Sequence, residues 1–87
     1  MKQLFFWLIC NTSIDKSNQI TNNDIKKVFL EAYPQYKKDN KLAGLIGMFL
    51  YYLYPNELVK EAGGNSILYN LRVHSKPVKE IIIHDLE

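Results

Sequence analysis

Residues 40–56 read Asn-Lys-Leu-Ala-Gly-Leu-Ile-Gly-Met-Phe-Leu-Tyr-Tyr-Leu-Tyr-Pro-Asn and form the longest strongly periodic segment of the chain. Their large apolar residues recur at helical spacing, which predicts one broad buried face. The members of this face are Leu42, Leu45, Ile46, Phe49, Leu50 and Leu53. Asn40 is a suitable N-cap, and Pro55 disfavours helical backbone at Tyr54. The segment therefore predicts a helix that begins after Asn40 and ends near Leu53.

The outer face of this helix carries no charge after Lys41. Its members are Gly44, Gly47, Met48, Tyr51 and Tyr52. Tyrosine-rich faces with little charge are typical of the central part of protein interfaces. The alternative is that these tyrosines only cover a small core. We therefore interpret the face as a candidate interaction surface, with coverage of the core as the other reading.

Two further helices are predicted upstream. Within residues 2–10, Leu4, Trp7 and Leu8 share one helical face, so we expect a first helix with Trp7 in the core. A strand is the alternative, because the apolar run is short and uninterrupted. Residues 11–19 are rich in Asn, Ser, Thr and Asp, which compete with regular backbone hydrogen bonding, and they predict a loop.

The second helix has a clear start signal. Thr21 and Asp24 have the spacing of a capping box, in which each side chain satisfies a backbone N–H of the other residue. An apolar stripe follows, consisting of Ile25, Val28, Phe29 and Ala32. Pro34 then places the end of the helix at Tyr33.

Strands are predicted after Pro55. Residues 57–61 fit either a continued helix or a short strand, and Ala-Gly-Gly-Asn at 62–65 is a strong turn signal. Apolar and polar residues alternate over residues 66–73, with Ile67, Tyr69, Leu71 and Val73 on one face. Residues 78–86 contain three consecutive isoleucines and predict a further strand. Such a strand must be covered or paired, which makes it a candidate homodimer edge.

Composition indicates one small globular domain over residues 1–87, with a core at 2–73 and a C-terminal strand at 78–86. Apolar residues make up 47% and charged residues 23% of the chain, which is typical of globular proteins rather than disordered ones. The net charge is +2, but seven lysines and four acids give residues 1–54 a net +3. Any surface that attracts polyanions is therefore expected in the first half.

Several kinds of chemistry are not expected. Cys10 is the only cysteine, so an internal disulfide is excluded. The opening residues resemble a short lipoprotein signal, but bulky Ile9 stands where a small residue is required, so we expect an intracellular protein. No apolar run approaches the roughly 20 residues that span a bilayer, so no membrane association is expected. His74 and His84 lack partners with metal-ligand spacing, and we expect neither a metal, a cofactor nor an enzymatic site.

Three motifs, in order, resemble the RFX-type winged-helix DNA-binding domain. Residues 45–56 are similar to the third helix of that family, which carries Phe-Gly-Lys near its start and ends in an aromatic often followed by Pro-Asn. Asn65-Ser66 followed by Tyr-Asn-Leu-Arg-Val at 69–73 is similar to its wing strand. Trp7-Leu8 followed about a dozen residues later by Ile20-Thr21 matches the spacing of its first helix and second-helix cap.

The resemblance spans about residues 4–73 and implies an α+β fold, a winged helix-turn-helix with three helices and a β-hairpin wing. Here an extra C-terminal strand is expected. A related winged helix lies at the C-terminus of poxvirus-type and phage primase-helicases, so the resemblance implies DNA binding in viral or phage replication or regulation. Richness in Asn, Ile, Lys and Tyr fits an AT-rich genome. The expected location is the cytoplasm, or the nucleus or viral factory for a virus of eukaryotes.

The chain departs from the family pattern at the residues that contact DNA. Met48 stands where the family has a lysine, and Tyr51 stands where it has an arginine. The arginine-rich first wing strand is replaced by Glu-Leu-Val-Lys-Glu at 57–61. We therefore expect the fold to carry over and the wing to be repelled by DNA.

Two functions follow from these observations. The first is binding of duplex or single-stranded DNA through lysines near the third helix, with tyrosines that stack on bases. Its candidate residues are Lys26, Lys27, Lys37, Lys38, Lys41, Tyr51, Tyr52, Lys60, Asn65 and Arg72. The alternative is a protein-interaction winged helix that uses Met48, Tyr51 and Tyr52 and has lost DNA binding.

Overall fold

The computed structural model describes residues 2–61 and 66–74. These residues form a small α+β fold with three α-helices and antiparallel strands. The elements are α1 (Lys2–Asn11), β1 (Thr12–Ile14), β2 (Ile20–Thr21), α2 (Asn22–Ala32), a 3-10 turn (Pro34–Tyr36), α3 (Leu42–Leu53), β3 (Leu58–Glu61), β4 (Ile67–Tyr69) and β5 (Leu71–Val73). One sheet has the strand order β2-β4-β3, and β1 pairs separately with β5.

The core is built from all three helices and the last two strands. Its buried apolar side chains are Leu4, Trp7, Leu8, Ile25, Phe29, Tyr33, Leu42, Ile46, Leu50, Tyr69 and Leu71. Trp7 is only 1% exposed, and its ring meets Phe29 of α2 edge-on at a centroid distance of 5.2 Å. The predictions of a first helix and of a buried Trp7 are therefore confirmed, and the strand alternative for residues 4–10 is wrong.

The predicted loop at residues 11–19 is wrong in part, because Thr12–Ile14 forms strand β1. Thr12 lies opposite Val73 and Ile14 lies opposite Leu71. The hydroxyl of Thr12 also donates to the Leu8 carbonyl at 2.6 Å, which attaches the strand to the end of α1. Polar composition favoured a loop, but a partner strand some 60 residues away supplies the backbone hydrogen bonds instead.

Helix α2 begins and ends as predicted. Thr21 accepts a hydrogen bond from the Asp24 backbone N–H at 3.2 Å, and the Asp24 carboxylate accepts from the Thr21 N–H at the same distance. Both halves of the capping box are therefore present. The C-cap is Tyr33, directly before Pro34.

Helix α3 ends at Leu53 as predicted, but its N-cap is Lys41 rather than Asn40. The Asp39 carboxylate accepts a hydrogen bond from the Lys41 N–H at 2.9 Å, one turn earlier than a cap contact would be made. Lys41 has helical backbone angles, and no side chain caps the helix. The predicted apolar face is oriented toward the core, with Leu42, Ile46 and Leu50 fully buried and Leu45, Phe49 and Leu53 packed against them.

Gly47 does not belong to the outer face, because it is buried beneath the hairpin. A Cβ atom at this position would lie 3.3 Å from Ile67 Cδ1 and 3.6 Å from Asn22 Nδ2. Gly44, by contrast, is exposed and would meet nothing within 4 Å. The missing side chain at Gly47 therefore permits β4 and the start of α2 to approach α3 closely.

Residues 58–61 form a strand, which settles the choice left open for residues 57–61. Strand β3 pairs antiparallel with β4, with an irregularity between Leu58 and Lys60. The predicted hairpin pairing is confirmed, while its turn at 62–65, and with it Asn65, lies outside the described residues. The predicted strand at 78–86 and His84 also lie outside them.

The single strand predicted for residues 66–73 is divided into β4 and β5 at Asn70. The Asn70 N–H donates to the Glu57 carbonyl at 2.8 Å, and its carbonyl accepts from the Asp15 N–H at 3.1 Å. The alternation is preserved across this break, because Tyr69 and Leu71 are both fully buried. Within the described part of the chain, no helix has the length and apolar character required to cross a bilayer.

Candidate functional site

Three large side chains project from the outer face of α3. Met48 is 56% exposed, Tyr51 is 61% exposed and Tyr52 is 75% exposed. None of the three belongs to the core cluster or to the residues packed against it. Exposed apolar groups of this size in one helix are costly in water, which makes this surface a candidate for binding.

The two tyrosines contact different parts of the molecule. The Tyr52 ring lies toward α1, at a centroid distance of 6.2 Å from the ring of Phe5. Tyr51 lies on the side of the sheet, where it and Glu61 act electrostatically on the hydroxyl of Tyr69. The outer face that the sequence presents as one surface is therefore divided between α1 and the hairpin.

An open groove of about 380 Å³ lies between α1 and α3 and is lined by Phe5, Met48, Phe49 and Tyr52. Phe5 and Phe49 pack edge-on at 5.1 Å and form its floor. The sequence reasoning did not include Phe5. The signal was its position in the first helix, off the face shared by Leu4, Trp7 and Leu8, but its partner on α3 is 44 residues away.

The two helices beside the groove run in the same general direction. At one end, the Tyr36 hydroxyl donates to the Gln3 side chain at 2.6 Å, which places the start of α1 beside the segment that leads into α3. At the other end, the Tyr54 hydroxyl contacts the Thr12 hydroxyl at 2.9 Å, just beyond both helices. The N-termini of α1 and α3 are therefore at the same end of the groove.

The structure brings together only some of the predicted basic residues. Lys37, Lys38 and Lys41 are exposed in the compact turn before α3, in which the Asp39 N–H donates to the Tyr36 carbonyl at 3.0 Å. Lys27 is exposed and Lys26 half-buried on α2, while Lys60 is exposed on β3 and Arg72 on β5. Within residues 2–61 and 66–74, the one salt bridge joins Lys16 to Glu57. None of these predicted cations is therefore neutralised by an ion pair inside the described structure.

Arg72 and Lys16 have local electrostatic roles. Hydrogen bonds from the side chain and backbone of Ser17 hold the pKa of Asp15 below its ordinary value, and the nearby charge of Arg72 lowers it further. Lys16 lies 2.5 Å from the carboxylate of Glu57, whose side chain is 8% exposed. The Glu57 charge is therefore buried and paired, so the exposed charges of β3 are Lys60 and Glu61.

Tyr69 carries a buried hydroxyl that, among the described residues, has no hydrogen-bond partner. Burial raises the pKa of this hydroxyl above its ordinary value of 10.0, and Tyr51 and Glu61 raise it further. The unfolded chain therefore releases this proton first as the pH rises. The contribution of Tyr69 to stability is complete below pH 10 and is lost above it.

We expect Tyr69→Phe to leave the free energy of unfolding at pH 7 within about 1 kcal/mol of wild type or to raise it, because no hydrogen bond is lost. The variant should also lose less stability than wild type between pH 9 and pH 11. Urea unfolding at both pH values measures this. Tyr54→Phe is the matched control, and it should cost about 1 kcal/mol because the Tyr54 hydroxyl bonds to Thr12. Equal losses in the two variants would contradict the prediction.

No protein-family model, curated protein or solved structure matches the chain. Among the described residues, no group of three or more His, Cys, Asp and Glu side chains is arranged to hold a metal ion. The function therefore has to be argued from the basic turn before α3 and from the aromatic groove.

Proposed function

We propose that this chain is a winged-helix domain that binds nucleic acid through the turn before α3. The element order supports the fold, because a helix, a short strand, two helices and a strand pair follow one another as in winged helices. The sheet order β2-β4-β3 also supports it, since the strand that precedes α2 pairs with the second strand of the hairpin. These features agree with the resemblance to the RFX-type domain.

The observation that carries the proposal is the cluster of Lys37, Lys38 and Lys41. All three side chains are exposed within five residues, in no ion pair of the described structure. They lie at the positive end of the α3 dipole, and no side chain caps that helix end. Asp39 offsets one of these charges, so the turn carries a net +2. Phosphate groups are the ligands that such a turn attracts.

This arrangement favours contact with the nucleic-acid backbone over reading of base sequence. The exposed part of α3 offers methionine and tyrosine in place of the arginine and lysine side chains that commonly recognise base edges. Tyrosine rings stack on bases with little regard to sequence. The wing is less repulsive than the sequence indicated, because the Glu57 charge is buried and paired with Lys16. We place the activity in viral or phage DNA replication or regulation, inside the cell, as an accessory domain similar to that of primase-helicases.

We expect the triple variant Lys37→Gln, Lys38→Gln, Lys41→Gln to bind DNA more weakly and to lower the slope of log K against log salt by up to about three units. Each removed phosphate contact releases fewer counterions. Fluorescence anisotropy with labelled duplex and single-stranded DNA between about 50 and 200 mM salt measures both quantities. Lys60→Gln is the control, and it should change the slope by at most about one unit. Unchanged affinity and slope in the triple variant would refute the nucleic-acid proposal.

A second candidate function is protein interaction through the Met48, Tyr51 and Tyr52 face. The exposure of these side chains favours it, because large apolar groups in a charge-poor surface are typical of interface cores.

We expect the double variant Tyr51→Ala, Tyr52→Ala to weaken binding of either kind of partner while lowering the free energy of unfolding by only about 1 kcal/mol. Both side chains are mostly in water, so little packing is lost. Urea unfolding followed by circular dichroism measures the stability. An unfolded double variant would assign the two tyrosines to the core and contradict both functions.

A further inference from the structure

We infer that the groove between α1 and α3 is a docking site for an amphipathic helix of a partner protein, with apolar residues along one face and acidic residues at one end. The inference deepens the second candidate function and is independent of nucleic-acid binding. Its first basis is the lining of the groove, in which Phe5, Met48, Phe49 and Tyr52 leave about 380 Å³ open to solvent.

The groove is long enough for a helix of about three turns. On α3, Lys41, Met48 and Tyr52 are spaced by seven and four residues and therefore lie along one stripe. From Lys41 to Tyr52 this stripe measures about 16 Å, at 1.5 Å per residue. On α1, Phe5 and Ile9 are four residues apart, and Ile9 is 46% exposed, which extends the apolar surface beyond the groove itself.

The charge of the groove is confined to one end. Neither α1 nor α3 contains an acidic residue. Lys2 and Lys41 stand at the starts of the two stripes, at the end where the N-termini of both helices meet and where both helix dipoles are positive. A partner segment must therefore combine apolar side chains for the body of the groove with acidic side chains for this end.

Two other occupants fit less well. Nucleic acid requires cations along the whole path of its backbone, whereas this groove is apolar for most of its length. A second copy of the chain that offered the same groove would bring one concave surface against another and leave the space unfilled, which loses packing energy. A convex helix from a different protein fills it.

The test uses the full chain and three synthetic helical peptides of 14 residues labelled with fluorescein. The first has Leu at positions spaced i, i+4, i+7 and i+11 and three Glu near its C-terminus, so that its own dipole is also complementary to the basic end. The second replaces Glu with Lys, and the third replaces Leu with Ser. We expect the first to bind in a titration followed by anisotropy, the second about tenfold or more weakly, and the third not measurably.

Single variants locate the binding. Tyr52→Ala should weaken binding of the first peptide by about tenfold, since its ring borders the groove. Tyr51→Ala is the matched control and should leave binding unchanged, because Tyr51 lies on the side of the sheet. Lys2→Glu, a position outside the proposed nucleic-acid surface, should reverse the preference between the first and second peptides.

Four results would overturn the inference. These are failure of the first peptide to bind, equal effects of the two tyrosine variants, displacement of the peptide by duplex DNA, and a dimer in sedimentation velocity that Tyr52→Ala dissociates. The peptide titrations contain no nucleic acid. Their failure would therefore leave the salt-slope result of the triple lysine variant standing, and failure of that result would leave the peptide result standing.

Discussion

Replacement of Trp7 by alanine is expected to lower the free energy of unfolding by about 3 to 5 kcal/mol. Trp7 heads the list of the largest fully buried side chains and joins α1 to α2 through its edge-on contact with Phe29. Alanine would leave a cavity that two helices and a short sheet cannot close. A domain of this size has only a modest reserve of stability, so the variant should be largely unfolded at 37 °C.

Urea unfolding monitored by far-ultraviolet circular dichroism measures the loss, since the variant has no tryptophan to report fluorescence. Trp7→Phe is the control and should cost less than Trp7→Ala, because it keeps an aromatic ring against Phe29. The indole N–H has no hydrogen-bond partner among the described residues, so the loss would be one of packing. Near-wild-type stability of Trp7→Ala would show that α1 does not contribute to the core as the structure has it.

Replacement of Asn22 by alanine is expected to cost about 2 to 4 kcal/mol. The buried side-chain amide of Asn22 donates to the Ala43 carbonyl at 2.9 Å and accepts from the Ile67 N–H at 2.9 Å. One residue at the start of α2 therefore connects α3 with the hairpin. Removal of both partners leaves two largely buried backbone groups without their hydrogen bonds, and such groups are expensive to leave unsatisfied.

Asn23→Ala is the matched control, because Asn23 is the next residue of α2, has the same side chain and is exposed. It should change the free energy of unfolding by no more than about 0.5 kcal/mol. In Asn22→Ala, the Ile67 amide should also exchange with solvent faster than in wild type, which hydrogen exchange followed by NMR detects. Equal stabilities of the two variants would contradict the role assigned to Asn22.

The sequence did not determine how the candidate surfaces are arranged. It indicated that Tyr51 and Tyr52 are exposed, but adjacent residues on a helix point about 100° apart, and only their neighbours decide which surface each belongs to. Tyr52 joins the groove because Phe5 lies beside it, while Tyr51 faces the sheet. The basic turn at Lys37, Lys38 and Lys41 was visible in the sequence because its three members are close together in the chain. DNA binding and protein binding both stay predictions.

The sequence by itself determined the three helices, the capping box of Thr21 and Asp24, the end of α3 before Pro55 and the burial of Trp7. Each of these depends on periodicity or hydrogen bonds within a few residues of one another. Only the tertiary structure decided that residues 12–14 form a strand, that Gly47 lies beneath the hairpin and that Glu57 is buried against Lys16. Such features depend on partners that are distant in the chain. Local propensity is too weak to compete with the hydrogen bonds and packing that those partners supply.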